Sequence, residues 1–299
     1  MRANKAIALG AILVGTMTPA IADCRLEPGP QRTVIQALDG ETLRLDDGSE
    51  VRLSGALAPR GQDVGADEQS WAPASAAKAA LAALTEGRNV VLNFTGPTKR
   101  DRRNRHVAQV FIIEDGQETW VQGRLLTDGH ARAYQQKGDR GCAAELLAHE
   151  DVARRARAGL WATDAYRARP AEHTRDLAGM PGKFVVLTGR VAWVAPGRET
   201  IALGFSPTQL RAWSLRHGLV VMIENHDREL IGALGGDAKA LEGKRFEVRG
   251  WLEQRLGRPA NSYVMDVSLA GMIIPLDADT TAVHPAGDKI ADAPAAGAP

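Results

Sequence analysis

The chain has 299 residues, 44% apolar and 24% charged, with 37 lysines and arginines against 36 aspartates and glutamates. That balance belongs to a globular protein long enough for two cores of ordinary size, and no uninterrupted apolar run reaches the roughly 20 residues of a bilayer-spanning helix. A generally polycationic nucleic-acid binder is also excluded, because phosphate affinity without a net positive charge needs a local basic patch.

Arg2 and Lys5 precede an apolar stretch over residues 6–17, then Pro19 and the small-residue pattern Ala20-Ile21-Ala22. This is the three-part layout of a cleavable secretory leader, with the cut expected before Asp23 and a periplasmic or secreted destination. A retained anchor is the alternative, against which Pro19 and the short apolar length count. The charged Asp23 disfavours lipidation at Cys24. Cys24 and Cys142 are the two cysteines of the chain, and an even number in an exported protein favours one disulfide over two free thiols.

The elements follow in order. Residues 32–55, RTVIQALDGETLRLDDGSEVRLSG, read as a three-stranded meander broken by Asp39-Gly40 and Asp46-Asp47-Gly48. An Ala-rich helix is expected over 74–84, stopped by Gly87. Strands follow at 88–94 and 106–113, the second ending in Glu114-Asp115-Gly116, then helices at about 120–128 and 143–157. Residues 167–182 carry Pro170, Gly179, Pro181 and Gly182 among charges and read as a linker. Five strand-like runs within 183–276 suit a second small Greek-key barrel, and 277–299 is an Ala-, Pro- and Gly-rich tail expected to be disordered. The division is therefore leader 1–22, first domain 23–166, linker 167–182, second domain 183–276 and tail 277–299. The fold class is mainly β with helices, two barrels of the OB kind.

The first domain resembles the staphylococcal-nuclease-like, or thermonuclease, family over residues 32–161. The likeness rests on an ordered set: LDGET (38–42), VRLSGALAPR (51–60), the Ala-rich helix, the basic loop TKRDRRNRHVAQV (98–110), GHARAY (129–134) and a last helix ending in GLW. It implies a five-stranded OB barrel with three helices and calcium-dependent hydrolysis of phosphodiesters in DNA and RNA. Such a site needs carboxylates for a hard cation, a Glu to deprotonate water and two arginines for the phosphoryl oxygens. On this likeness the phosphate-stabilising arginines are Arg52 and Arg105, and the first metal carboxylate is Glu41. The second metal carboxylate falls on Leu57 and the general base on Arg60. An arginine cannot be deprotonated at any useful pH, and Glu41 with the Ala58 carbonyl is a poor calcium set. No cofactor is expected, calcium being the one if the site is active.

Asp39, Asp63, Asp67 or Glu68 could substitute for a lost acid, Asp63 by a loop rearrangement toward the cavity mouth, or be plainly solvated on a polar loop; Arg52 could instead be buried against Asp39 or Glu41. Arg60 could turn the vacated site into an arginine-lined anion site. Lys99, Arg100, Arg102, Arg103 and Arg105 form the densest basic cluster. It can track a phosphate backbone with Tyr134 as a stacking surface, or be a solvated charge run. The second domain is similar to OB-like modules appended to some exported members of the family; it shows no metal-ligand cluster, and Trp193 and Trp251 read as core residues rather than as a ligand surface, the alternative. Three functions remain in play. The leading one is an exported binding protein for a phosphate-bearing or nucleic-acid ligand, with Arg60, Lys99, Arg100, Arg102, Arg103 and Tyr134 as ligand residues. The second is a weak calcium-dependent phosphodiesterase, and the third an envelope protein using its grooves for protein or glycan partners. If the scaffold is that of a nuclease, the combination of Arg60→Glu, Leu57→Asp and Ala58→Thr should recover hydrolysis.

Overall fold

The computed structural model describes residues 24–63, 71–97, 99–135, 142–206, 218–224, 228–255 and 261–276. The leader, the tail, Asp67 and Glu68 lie outside the described residues.

In chain order the first domain contains β1 (Gln31–Ala37), β2 (Thr42–Leu45), β3 (Glu50–Leu53), β4 (Ala56–Leu57), α1 (Ala72–Thr85), β5 (Asn89–Asn93), β6 (His106–Glu114), β7 (Gln117–Trp120), α2 (Val121–Thr127), β8 (Arg132–Ala133) and α3 (Ala143–Ala156). The β2–β3 hairpin closes because Asp47 Oδ1 accepts the Ser49 N–H at 2.9 Å and Gly48 takes φ +78°, a side-chain-stabilised turn that Asp and Gly favour. Helix α1 presents Ala77, Leu81 and Thr85 to the core at helical spacing, and Gly87 at φ +74° follows its end. Strand β7 was not foreseen. Asp115 and Gly116, both at positive φ, form a tight turn, and the polar QETW pairs back on β6, too short and too polar to show strand periodicity. Helix α2 accordingly begins after Trp120.

β1 pairs antiparallel with β2 and β5, β2 with β3, β5 with β6, and β3 runs parallel to β6, so five strands close into a barrel of OB type. The expected α+β barrel with its three helices is what forms. Cys24 and Cys142 are joined in a disulfide, tying the segment before β1 to the start of α3.

The second domain contains β9 (Arg169–Pro170), β10 (Phe184–Arg190), β11 (Trp193–Pro196), β12 (Thr200–Gly204), β13 (Gly218–Glu224), α4 (Arg228–Ala233), β14 (Arg245–Trp251), β15 (Glu253–Gln254), β16 (Ser262–Val267) and β17 (Ile273–Pro275). β10 pairs with β14, β11 with β12, β12 with β13, β13 runs parallel to β16, and β16 pairs with β15. Because β10 leads into β11 and β14 into β15, the connections repeat the order of the first barrel. Ala171, Leu177 and Met180 are buried in this second core, so part of the segment whose composition reads as a linker packs with the barrel that follows it.

The two barrels share a third apolar cluster, in which Leu57, Ala153, Leu160, Trp161 and Tyr166 meet Phe184 and Val186. Charged groups flank it. Arg249, 1% exposed, donates to both oxygens of Glu150 at 2.9 and 3.1 Å, to the Ala133 carbonyl at 3.0 Å and to Glu247. Arg154 donates to Glu247 at 2.7 and 3.1 Å.

Candidate functional site

The β1–β2 turn, the end of β3, the segment after β4, the first turns of α1 and the loop between β5 and β6 surround a cleft of about 1120 Å³. Glu41 is held at its floor. Its N–H is fixed by Asp39 Oδ1 at 2.8 Å, and the side chain, 5% exposed, points inward. Oε1 accepts from Arg52 Nε at 3.2 Å and from Arg60 Nη2, and Oε2 accepts the Ala58 N–H at 3.0 Å. Gly40 makes this possible: a Cβ there would lie 2.7 and 2.8 Å from the methyls of Ala58 and Ala77, so only glycine lets the turn lie this close to α1.

The basic loop is organised by its own aspartate. Asp101 accepts the N–H groups of Arg103 and Arg105 at 2.9 and 3.0 Å and the Arg105 side chain at 2.7 and 2.8 Å, with Asn104 at φ 60° completing the turn. Partial burial pushes the Asp101 carboxyl up, but the hydrogen bonds from Arg105 and Arg103 outweigh it and hold its pKa below the ordinary value. Arg105 also reaches Thr42 Oγ1 at 3.4 Å. Arg100 donates to the Asn104 carbonyl at 2.7 Å and to His106 Nε2 at 3.1 Å; burial and the Arg100 charge depress the His106 pKa, consistent with its accepting role.

Seven cationic side chains line the cleft, Arg52, Arg60, Lys78, Arg100, Arg102, Arg103 and Arg105, against three carboxylates, Asp39, Glu41 and Asp101. Lys78, Arg102 and Arg103 are exposed and have no carboxylate partner among the described residues, so the excess positive charge faces solvent. Tyr134 lines the cleft too, and so does Trp251 of the second barrel.

Several sequence expectations change place. Lys99 does not line the cleft: Glu27, with which it pairs at 2.9 Å, and the Phe94 ring, which it covers at 5.2 Å, hold it on the other side of the loop. Arg52 takes the paired alternative, bonded to Glu41. Asp63 is neither a substitute ligand nor solvated. It is 8% exposed and accepts the Arg60 N–H at 2.9 Å, Arg132 Nη2 at 3.1 Å and the Tyr166 hydroxyl at 2.8 Å. Leu57 is fully buried in the inter-barrel cluster and does not face the cleft. Trp251 is partly buried, packed against the inter-barrel cluster as a core residue would be and also bordering the cleft; Lys78 lines the cleft although no motif of the sequence contains it. Its position on an otherwise Ala-rich helix was the one available signal.

Among the described residues no group of three or more His, Cys, Asp or Glu is placed to hold a metal. Both Glu41 oxygens already accept hydrogen bonds, and a divalent ion there would have to displace two guanidiniums.

Comparison with known proteins supports the reading of the first domain. No match to the chain was found among curated proteins. Residues 50–163 match the family described as staphylococcal nuclease homologue, a stretch that takes in Arg52, Arg60, the basic loop and Tyr134 but begins after Glu41. With a closed OB-type barrel beneath it, this part of the chain is a staphylococcal nuclease-like domain.

Proposed function

We propose that the protein is an exported, nuclease-related binding protein whose cleft takes a phosphate-bearing ligand, a nucleic-acid strand in the first instance, without calcium-dependent hydrolysis. The observation that carries this is the cleft's charge: seven cations against three carboxylates. Fixed guanidiniums bind phosphate oxygens through charge-assisted, often paired hydrogen bonds. Arg52, Arg60 and Arg105 form a pre-oriented set at the floor, Arg100 is held by Asn104 and His106, and the exposed Arg102, Arg103 and Lys78 supply the flexible outer contacts.

The donor set does not fit calcium, which takes six to eight oxygen ligands. Glu41 is engaged by two arginines and a backbone N–H, and the position of the second carboxylate is filled by a leucine turned into the inter-barrel core. The position of the water-activating Glu holds Arg60, which cannot accept a proton. Export is supported by the leader pattern and by the Cys24–Cys142 bond. Among the described residues, no helix is long and apolar enough to cross a membrane.

The test is the salt dependence of oligonucleotide binding to the protein without its leader. Affinity should fall as salt rises, with a log–log slope of roughly −0.7 per phosphate neutralised on a single strand. Arg102→Ala with Arg103→Ala should flatten that slope while leaving the fold intact, since both side chains are exposed. Binding that ignores both salt and these substitutions would remove the proposal, and robust cleavage requiring calcium would replace it with a hydrolase.

A further inference from the structure

Trp251 ends a strand whose preceding five residues, Phe246 to Gly250, are all buried. It is itself partly buried, packed against the inter-barrel cluster on one side and bordering the cleft on the other. An indole carries one of the largest apolar surfaces among side chains, and the part of this one that borders the cleft is a flat apolar surface within reach of a ligand. Its orientation is fixed from behind. Phe184, its partner across the β10–β14 pair, meets it edge to face at 5.9 Å and 74°, and meets Tyr134 in the same way at 5.4 Å and 85°. Phe184 itself is 3% exposed. It serves as a wedge between two aromatic rings, one from each barrel, that both border the cleft.

The Arg60 guanidinium carbon lies 6.0 Å from the Trp251 ring centre. A group suited to a phosphate and a flat ring suited to a base are therefore neighbours, as the phosphate and base of one nucleotide are. The second barrel cannot drift from this position easily, because Arg132, 3% exposed, donates to the Phe184 carbonyl at 2.9 Å and also holds Asp63, which fixes the Arg60 backbone.

We infer that the cleft is completed by the second barrel, and that Trp251 stacks an unpaired nucleobase of a single-stranded nucleic acid whose phosphates lie on the arginines of the first. This rests on the phosphate-binding reading above and narrows it. Inside a duplex each base already has stacked neighbours on both faces, whereas a single strand offers a free one.

The test compares a short oligothymidylate with an abasic strand of the same length and charge, by anisotropy at low salt, on the disulfide-bonded protein without its leader. Thymidylate should bind about tenfold tighter, equivalent to about 1.4 kcal/mol, and should quench tryptophan emission. In Trp251→Leu, which keeps an apolar side chain against Phe184, the preference and the quenching should vanish while abasic binding is unchanged. Trp251→Phe, the milder replacement should the leucine variant fail to fold, should keep part of the preference. Equal binding of both strands, or a preference surviving Trp251→Leu, would overturn the stacking role and leave the phosphate reading standing. Absence of binding to either strand would remove that reading itself, and this inference with it.

Discussion

Replacing Glu41 by glutamine separates a binding cleft from a metal site, because the two predict opposite signs. Glu41 is 5% exposed and accepts hydrogen bonds from Arg52, Arg60 and the Ala58 N–H. The amide retains one acceptor oxygen and turns an NH₂ group toward a donor. Breaking a fully buried ion pair costs about 3–5 kcal/mol and an exposed one less than about 1 kcal/mol. With Arg52 and Arg60 side chains 16% and 36% exposed, the loss of stability should be about 2 kcal/mol, between those limits. Binding should move the other way. A phosphate roughly 7 Å from the removed charge is relieved of about 0.6–2.4 kcal/mol of repulsion for effective dielectrics of about 80 to 20. That corresponds to about 3- to 50-fold tighter binding. Urea unfolding measures the first effect and oligonucleotide anisotropy the second, under conditions where the variant is folded. Weaker or unchanged binding would refute the electrostatic account of the cleft, and calcium-dependent cleavage by the unmodified protein that disappears in Glu41→Gln would show Glu41 to be a metal ligand.

Rebuilding a nuclease site with Leu57→Asp, Ala58→Thr and Arg60→Glu should fail, contrary to the expectation from sequence. The new carboxylate would lie in the inter-barrel cluster at a position 0% exposed, costing at least about 4 kcal/mol through lost packing and polar burial; calcium-dependent digestion by a stably folded triple variant would contradict this. The buried charges between the barrels should make stability fall in acid. Burial raises the pKa of Glu247, but Arg249 and Arg154 more than offset it and bring it down to about 2 from 4.5. The resulting stabilisation is complete above pH 4.5 and lost as pH drops toward 2, worth about 3 kcal/mol in all. Urea titrations across that window should show it in the native protein and not in Glu247→Gln. Opening the disulfide with Cys24→Ser and Cys142→Ser frees a loop of 118 positions and should destabilise by about 4–5 kcal/mol on loop entropy, read from the shift of the urea midpoint.

Much of the first barrel was legible without coordinates, because its signals are local. The turns at Asp39-Gly40 and Asp47-Gly48 and the Ala-rich helix stopped by Gly87 each follow from the preferences of a few neighbouring residues. The basic loop was legible from residue type alone, whereas the roles expected of Arg52, Arg60 and Arg105 came from the resemblance of their surrounding segments to the nuclease family. β7 escaped, since four polar residues carry no periodicity and its pairing with β6 supplies the order.

What only the tertiary structure decided lies where the barrels meet. Side-chain direction and partner depend on contacts between distant parts of the chain. Asp63 meets Arg132 and Tyr166, Glu150 meets Arg249, and Leu57 meets Phe184 and Val186; no local pattern announces any of these pairs. A leucine at a carboxylate position reads in sequence as a loss, and in three dimensions as part of the surface that holds the second barrel. Likewise Trp251 has the composition of a core residue and becomes a wall of the cleft only because Phe184 fills the space behind it and Tyr134 approaches from the other domain. Sequence suggested most of the groups expected to bind a phosphate; the tertiary structure decided which side chains line one cleft, and the packing of the second barrel on the first set Trp251 beside them.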